Sequence, residues 1–261
     1  ATNPQTLIIV RLNRMQNRLE LLNGDARSGK TNVFFVEEEK TWIEERYQAR
    51  FLKGKDQFVW LSERDGYSHI YLFDLSGKLI RQITKGKWDV SDIVLVDEKS
   101  YLIYFNAAAK TPLERHLYSV RFDGSRMKQL TPDGFSHRVS LSPDGKNLLD
   151  YYSNVSTPTK IALYNSEGKM VRMIEENEIT ALKDYTMSKQ EFFTFTTTDG
   201  VELNGWVIKP GHFDAAKKYP VLLYVYGGPG SQTVTNSWGG TNFLWYQMLA
   251  QKGYIVASVD G

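Results

Sequence analysis

A tyrosine followed by a glycine-rich turn is the clearest chemical feature of the sequence. Residues 219–226 form an apolar run that ends at Tyr226, and Gly227-Gly-Pro-Gly230 follows it. Such a run is typical of a central strand buried on both faces, and ligands bind at the carboxyl ends of strands in α/β enzymes. A phenol can donate a hydrogen bond to a developing oxyanion, and glycines let the backbone approach a substrate closely. The spacing therefore predicts Tyr226 as an oxyanion donor, with a core tyrosine at a strand end as the alternative.

The nucleophile that such a donor would serve is missing from the sequence. Serine hydrolases place their serine in a Gly-x-Ser-x-Gly elbow, and no segment of the 261 residues has that pattern. Gly134-Phe-Ser-His-Arg138 comes near it but lacks the second glycine. Ser136 and His137 are therefore not expected to be a catalytic pair, and Ser231 is expected to shape the glycine turn.

The histidines and carboxylates give no second site. His69 and His116 occupy the same place in successive repeats, which favours a structural role, and His212 is expected in an exposed loop. Glu37-Glu-Glu39 could bind a cation or an amine, but a solvated strand end is the favoured interpretation, because consecutive strand residues face opposite sides. No metal-ligand spacing, P-loop or dinucleotide fingerprint occurs, so neither a metal nor a cofactor is predicted.

Composition sets broad limits on the function. The 32 basic and 30 acidic residues leave a net charge of +2, so no nucleic-acid partner is implied. There are no cysteines, which removes disulfides and thiol catalysis. No apolar run approaches the roughly 20 residues that a membrane helix needs, and residues 1–5 have no features of a targeting signal.

Residues 1–190 contain a repeat made of short strands. A His-initiated strand, a glycine turn and a second strand occur at 69–84 and again at 116–131, 47 residues later. A fainter copy begins 44 residues further on, at Lys160, and another lies near Arg18. A period of 40–50 residues with four short strands is the signature of β-propeller blades, which stack because one sheet cannot bury both of its faces alone. The sequence predicts an all-β propeller that is partial, with about four blades.

The pattern changes after the last repeat. Residues 175–190 are polar and are interpreted as a crossover between domains. Two strands then flank Asp199-Gly200, a strong hairpin signal, and the apolar run, a helix at 242–252 and a strand at 254–259 follow. Hairpin, strand, helix and strand are the opening β/α segment of an α/β sheet. The predicted domains are a partial propeller at 1–186 and the N-terminal part of an α/β-hydrolase domain at 187–261.

The sequence resembles the prolyl oligopeptidase family, and its dipeptidyl peptidase IV branch in particular. The resemblance is carried by residues 219–232 and 254–261, with blade segments at 62–72 and 82–90 and the domain entry at 213–220. It implies a serine exopeptidase that removes dipeptides ending in Pro or Ala from peptide N-termini, with the propeller restricting entry to small or unfolded peptides. Relatives are commonly homodimers that are secreted, periplasmic or membrane-tethered.

The resemblance also assigns roles to residues and leaves others open. It implies that Tyr226 supplies the side-chain oxyanion donor and that the Ser, Asp and His of the triad lie beyond Gly261. The paired glutamates that bind the substrate amine would lie before Ala1, so Glu37-Glu-Glu39 does not inherit that role. Arg50-Phe51 is similar to a pair that faces the substrate cavity in relatives.

Three functional hypotheses follow from these features. The first is part of a dipeptidyl peptidase that is inactive without its triad. The second is a propeller module that binds protein partners through its blades. The third is a tripeptidyl or acylaminoacyl peptidase of the same family, which would differ in substrate length.

Overall fold

The computed structural model describes residues 4–44, 49–228 and 230–260. Four sheets in chain order account for most of this part. Their strands are β1 (Thr6–Leu12), β2 (Arg18–Asp25) and β3 (Thr31–Glu38); β4 (Arg50–Phe51), β5 (Gln57–Ser62), β6 (His69–Asp74) and β7 (Leu79–Gln82); β8 (Val90–Asp97), β9 (Leu102–Ala107), β10 (His116–Arg121) and β11 (Lys128–Gln129); and β12 (Ser136–Leu141), β13 (Asn147–Asn154), β14 (Thr157–Asn165) and β15 (Met170–Glu175).

Each of these sheets is a meander in which consecutive strands are neighbours. Three sheets have four strands and the first has three in the described part of the chain. The predicted repeats coincide with the last two strands of their sheets, because β6 begins at His69 and β10 begins at His116. These sheets are propeller blades, and the predicted partial propeller of about four blades is confirmed.

Stacking of blades explains why the second sheet has nearly continuous apolar strands. Along β5, Phe58 and Trp60 pack in one cluster with Leu19 and Phe35 of the first sheet. The alternate residues of the same strand join a second cluster with residues of the third sheet, such as Ile103. Because side chains alternate between the faces of a strand, each face of β5 meets a different neighbouring sheet. Because both faces of β5 are buried, its sequence is almost entirely apolar and does not alternate between apolar and polar residues as a strand with one exposed face would.

The remaining elements form a mixed sheet with one helix. They are a 3-10 helix (Thr180–Asp184), β16 (Gln190–Thr196), β17 (Glu202–Ile208), β18 (Val221–Tyr224), α1 (Gly240–Gln251) and β19 (Ile255–Val259). The strand order is β16-β17-β19-β18, and β18 and β19 are parallel. Helix α1 connects them and ends before Gly253, whose φ is +89°. The predicted order of hairpin, strand, helix and strand is confirmed.

The expected burial of the apolar strand is wrong. The sequence predicts a central strand over residues 219–226 that is buried on both faces, but β18 lies at the edge of the sheet and the interior positions belong to β17 and β19. Val221 and Leu223 are 63% and 55% exposed. Among the described residues, β18 pairs with β19 alone, so half of its backbone and much of its apolar surface face no neighbour there.

By compactness the chain divides into two units that are not continuous in sequence. The first comprises Ala1–Lys110, His116–Thr131 and Val139–Lys146, and the second comprises Thr111–Arg115, Pro132–Arg138 and Asn147–Gly261. The second unit has its own core, in which Trp206, Ile208 and Val256 pack against Phe243 and Ala250 of α1. The domain boundary after residue 186 stays a prediction. Within the described residues, no helix is long and apolar enough to cross a membrane.

Candidate oxyanion site

Tyr226 lies two residues beyond the end of β18, on the exposed turn. Its side chain is accessible, since 58% of the residue is exposed. The phenol ring lies close to Gly228, because a Cβ added there would be 2.6 Å from Cε1 and 3.0 Å from the hydroxyl oxygen of Tyr226. Glycine at position 228 therefore leaves the space that the ring occupies.

The tyrosine opens onto a cavity of about 430 Å³. The described lining combines aromatic rings with hydroxyl and amide groups, most of them from the segment 231–242. The rings are Trp206, Tyr224, Tyr226, Phe243 and Tyr246. The ring centroids of Trp206 and Tyr246 are 5.3 Å apart, and those of Tyr224 and Tyr246 are 6.0 Å apart. No acidic, basic or histidine side chain is among the described residues of the lining.

The lining determines what the cavity can do. Burial, with Tyr224 as a smaller contribution, raises the pKa of Tyr246, so that phenol stays protonated well above neutral pH. Phenol hydroxyls, serine and threonine hydroxyls and amide groups can orient a neutral polar substrate. A base that would activate a hydroxyl is absent from the described lining. The cavity can therefore bind and polarise a carbonyl, while proton abstraction requires a group from elsewhere.

The end of β19 fixes the segment after the glycine turn. Asp260 follows β19, and its carboxylate accepts hydrogen bonds from the backbone N–H of Thr233 at 2.6 Å and of Val234 at 3.1 Å. The Thr233 hydroxyl donates to the same carboxylate at 2.8 Å, and the Thr233 carbonyl accepts from the Trp206 indole at 3.2 Å. These bonds hold the polar wall of the cavity beside the carboxyl ends of β18 and β19.

The histidines are in structural positions. His69 and His116 are fully buried at the start of equivalent strands. Their Nδ1 atoms lie 3.1 and 3.0 Å from the hydroxyls of Thr84 and Thr131, each 15 residues later. The equivalence predicted from the repeats is therefore confirmed. His212 is exposed, as expected.

Ser136 and His137 are each bonded to other partners. His137 is buried, with Nδ1 2.8 Å from the carboxylate of Asp150 and Nε2 2.9 Å from the carbonyl of Pro132. The hydroxyl of Ser136 instead accepts a hydrogen bond from the backbone N–H of Arg115. Both ring nitrogens are thus engaged by oxygens other than the serine hydroxyl, which agrees with a structural role, and the absence of catalysis by this pair stays a prediction.

The carboxylate run is not a solvated strand end. Glu38 is exposed and pairs with Arg18, but Glu37 is only 5% exposed and lies 2.6 Å from the guanidinium of Arg64. Strand alternation turns Glu37 inward, where the Ser62 hydroxyl also donates to it. The solvated interpretation is therefore wrong for Glu37, whose buried carboxylate pairs with the partly exposed guanidinium of Arg64 from the second sheet. The described residues contain no group of three acidic or histidine side chains suited to a metal ion.

Arg50 and Phe51 form the short strand β4. Phe51 packs on Phe58 with ring centroids 5.5 Å apart, and the Arg50 guanidinium donates to the carbonyl of Ile93 at 3.4 Å. Their relation to a substrate cavity stays a prediction.

Sequence reasoning missed two groups of residues at the site. Trp206 and Tyr246 line the cavity from other elements, and Gln232 binds a loop more than a hundred residues earlier. Gln232 could have been considered from the sequence, because it lies directly after the glycine turn that carries Tyr226. Tyr246 could have been found from the helical spacing of apolar residues in α1, but nothing local pairs it with Trp206.

Comparison with known proteins identifies the family of the chain. The family described as the dipeptidyl peptidase IV (DPP IV) N-terminal region matches residues 1–159. Dipeptidyl peptidase 4 of Arthroderma otae is 33% identical over 245 residues, which cover 90% of this chain and 31% of that protein. A probable dipeptidyl-aminopeptidase B of Aspergillus clavatus is 34% identical over 270 residues, which cover 95% of this chain and 29% of that protein. The chain thus spans less than a third of these relatives.

Solved structures match nearly the whole chain. The crystal structure of Porphyromonas gingivalis dipeptidyl peptidase 4 superposes with a TM-score of 0.91 at 32% identity, covering 99% of this chain and 37% of that one. A putative dipeptidyl aminopeptidase IV from Bacteroides ovatus gives 0.86 at 30% identity, covering 98% and 39%. With a family match over more than half of its residues and the same fold along nearly its whole length, the chain belongs to the dipeptidyl peptidase IV family.

Proposed function

We propose that the full-length protein containing this chain is a serine exopeptidase that removes N-terminal dipeptides, ending in Pro or Ala, through an acyl-enzyme. Family membership supports the peptidase activity, because the relatives carry the name dipeptidyl peptidase. The observation that carries the proposal is the accessible phenol of Tyr226 at the mouth of an uncharged cavity, beside the carboxyl end of a strand.

Tyr226 would act on the developing charge of the scissile carbonyl. When a serine attacks that carbonyl, its oxygen becomes an oxyanion, and the phenol O–H donates a hydrogen bond to it without transferring the proton. An uncharged donor suits this role, since the hydrogen bond gains strength as the charge develops. The groups needed for acyl transfer are all protein groups, so the proposed reaction uses no cofactor.

The triad would be supplied by residues outside these 261. We propose that the sheet β16-β17-β19-β18 begins an α/β-hydrolase domain, and that further strands pair with β18 in the full-length protein. The exposed apolar side chains of Val221 and Leu223 support that pairing, because an exposed apolar edge strand tends to pair with another strand. The 261-residue chain alone would then have no peptidase activity.

The remaining expectations belong to the full-length protein. The blades would cap the hydrolase domain and restrict entry to peptides that are small or unfolded. We further propose a homodimer that is periplasmic, secreted or membrane-tethered, as in the family that the sequence resembles.

Three substrates test the activity. The full-length protein should release nitroaniline from Gly-Pro-p-nitroanilide, and should fail on its N-acetylated form, because an exopeptidase needs the free amine. The isolated 261-residue chain should release none. Preference for Ala-Ala-Phe-p-nitroanilide would replace the dipeptidyl assignment with the tripeptidyl alternative. Preference for the acetylated substrate would exclude a requirement for the free amine and so contradict the dipeptidyl assignment. No hydrolysis of any of the three would contradict the peptidase proposal.

A further inference from the structure

The glycine turn that carries Tyr226 is held mainly at its two ends. At its start, Tyr224 of β18 pairs with Ser258 of β19. Inside the turn, one backbone hydrogen bond joins described residues, from the N–H of Ser231 to the carbonyl of Gly228 at 3.2 Å. The position of the phenol therefore depends also on what fixes the far end of the turn, which is the side chain of Gln232 together with the bonds of Thr233 and Val234 to Asp260.

Gln232 is bound by the loop between β9 and β10. The guanidinium of Arg115 donates to the side-chain oxygen of Gln232 at 2.6 Å. The side-chain nitrogen of Gln232 donates to the carbonyls of Pro112 at 2.7 Å and Val234 at 2.9 Å. Arg115 also donates to the Pro112 carbonyl at 2.8 Å, so both side chains meet at the same loop atom.

The chemistry of these partners allows one orientation of the Gln232 amide. A guanidinium only donates and a carbonyl only accepts, so the amide oxygen must face Arg115 and the amide nitrogen must face the carbonyls. A hydrogen bond from a charged donor is about twice as strong as a neutral one. The half-buried amide of Gln232 is therefore held in one orientation by its hydrogen bonds, whereas the amide of a solvent-exposed glutamine could rotate.

A second anchor continues the attachment four residues later. The backbone N–H of Asn236 donates to the carbonyl of Leu113 at 2.8 Å, and its side-chain amide donates to the carboxylate of Glu114 at 2.7 Å. The same amide accepts from the backbone N–H of Val155 at 3.3 Å. Because this anchor lies beyond Gln232, removal of the Arg115 contact should loosen the turn without releasing the whole segment.

We propose that Arg115 and Gln232 are positioning residues for Tyr226, holding the glycine turn so that the phenol meets the oxyanion of the substrate. The inference rests on the proposed function, since it assigns a role through the oxyanion donor. Gln232 lines the cavity, but its amide is engaged by Arg115 and by two backbone carbonyls, so neither side chain need touch the reacting atoms. Their effect should appear in turnover, because a displaced donor stabilises the transition state less while ground-state binding is little changed.

The test uses the full-length enzyme and Gly-Pro-p-nitroanilide. Arg115→Met and Gln232→Met each remove the contact and keep an unbranched side chain of related size. A donor misplaced by about 1 Å can cost up to about 100-fold, so each variant should lose about 10-fold or more in kcat with KM within about twofold. Arg138→Met is the matched control, since the Arg138 guanidinium lies over the ring of Tyr151 and not on the turn, and it should keep its kcat. Arg115→Lys, which retains a charged donor, should recover part of the loss.

A double-mutant cycle with Tyr226→Phe separates positioning from general stability. If Arg115 and Gln232 act through the phenol, either Met substitution should cost little further kcat once the hydroxyl is gone. Additive losses, or unchanged kcat in both Met variants while Tyr226→Phe is impaired, would overturn the positioning role and leave the proposed function standing. An unimpaired Tyr226→Phe enzyme would overturn both the oxyanion assignment and this inference.

Discussion

The contact between Gly228 and the Tyr226 ring allows a perturbation that moves the hydroxyl without removing it. In Gly228→Ala, the new methyl group would lie 2.6 Å from Cε1 and 3.0 Å from the hydroxyl oxygen of Tyr226. The ring would have to move by about 0.8 Å to restore a contact of 3.4 Å. Neither Gly227 nor Gly228 has a positive φ, so alanine introduces no backbone strain at either position.

The size of the expected effect follows from that displacement. A misplacement of about 1 Å can cost up to about 100-fold in rate, so kcat of the full-length Gly228→Ala enzyme should fall about 10- to 100-fold. This is a loss of about 1.4–2.7 kcal/mol of transition-state stabilisation. The assay is steady-state hydrolysis of Gly-Pro-p-nitroanilide. KM should change little, because the alanine enters the space of the ring and does not remove a substrate contact.

Gly227→Ala is the matched comparison for this experiment. A Cβ at position 227 would have no heavy atom of the described residues within 4 Å, so the kcat of Gly227→Ala should fall far less than that of Gly228→Ala. In the Tyr226→Phe background, Gly228→Ala should have almost no further effect. Equal losses for the two glycines, or a full loss in the Phe background, would refute the reasoning that the ring contact matters through the hydroxyl.

Two further predictions concern the blades and use thermal and chemical unfolding of the full-length protein. Gly77→Ala should lower the free energy of unfolding by about 1–3 kcal/mol more than Gly54→Ala does. Both glycines have a positive φ, but only a Cβ at Gly77 would overlap the carbonyl oxygen of Phe34 in the neighbouring sheet. Equal losses of stability in the two variants would count against that stacking contact. The Ser76 hydroxyl lowers the pKa of Asp74, so Asp74→Asn should lower Tm at neutral pH and the difference should vanish as pH falls through the depressed pKa. A difference that persists at low pH would mean that the carboxylate charge is not the cause.

The blades were predictable from the sequence because their stabilising contacts repeat. The strands that begin at His69 and His116 recur with their glycine turns and their threonine partners, so one blade predicts the next. Glu37 shows where this stops. Alternation along β3 could have indicated that Glu37 and Glu38 face opposite sides, but nothing in the local sequence indicates that Glu37 pairs with Arg64, 27 residues later.

The candidate site was only partly predictable for a related reason. Tyr226 and its glycines are adjacent in sequence, and their chemistry can be recognised from residue types. Arg115 lies 117 residues before Gln232, in a loop between two blade strands, so no spacing rule connects them. The prediction of burial for β18 is wrong because an apolar run indicates that a strand is suited to a buried position, but it does not show whether neighbouring strands cover it. Among the described residues, only one strand pairs with β18.

The most direct test of the central claim is the turnover of the full-length enzyme after Tyr226→Phe, which removes one oxygen atom and keeps the ring. If Tyr226 is the oxyanion donor, kcat for Gly-Pro-p-nitroanilide should fall about 10- to 1,000-fold while KM and Tm stay close to their original values. Tyr219→Phe is the control, because the Tyr219 hydroxyl binds the Asp214 backbone away from the cavity, and its turnover should be unchanged. Undiminished kcat in Tyr226→Phe would contradict the account and return Tyr226 to an ordinary tyrosine at the end of a strand.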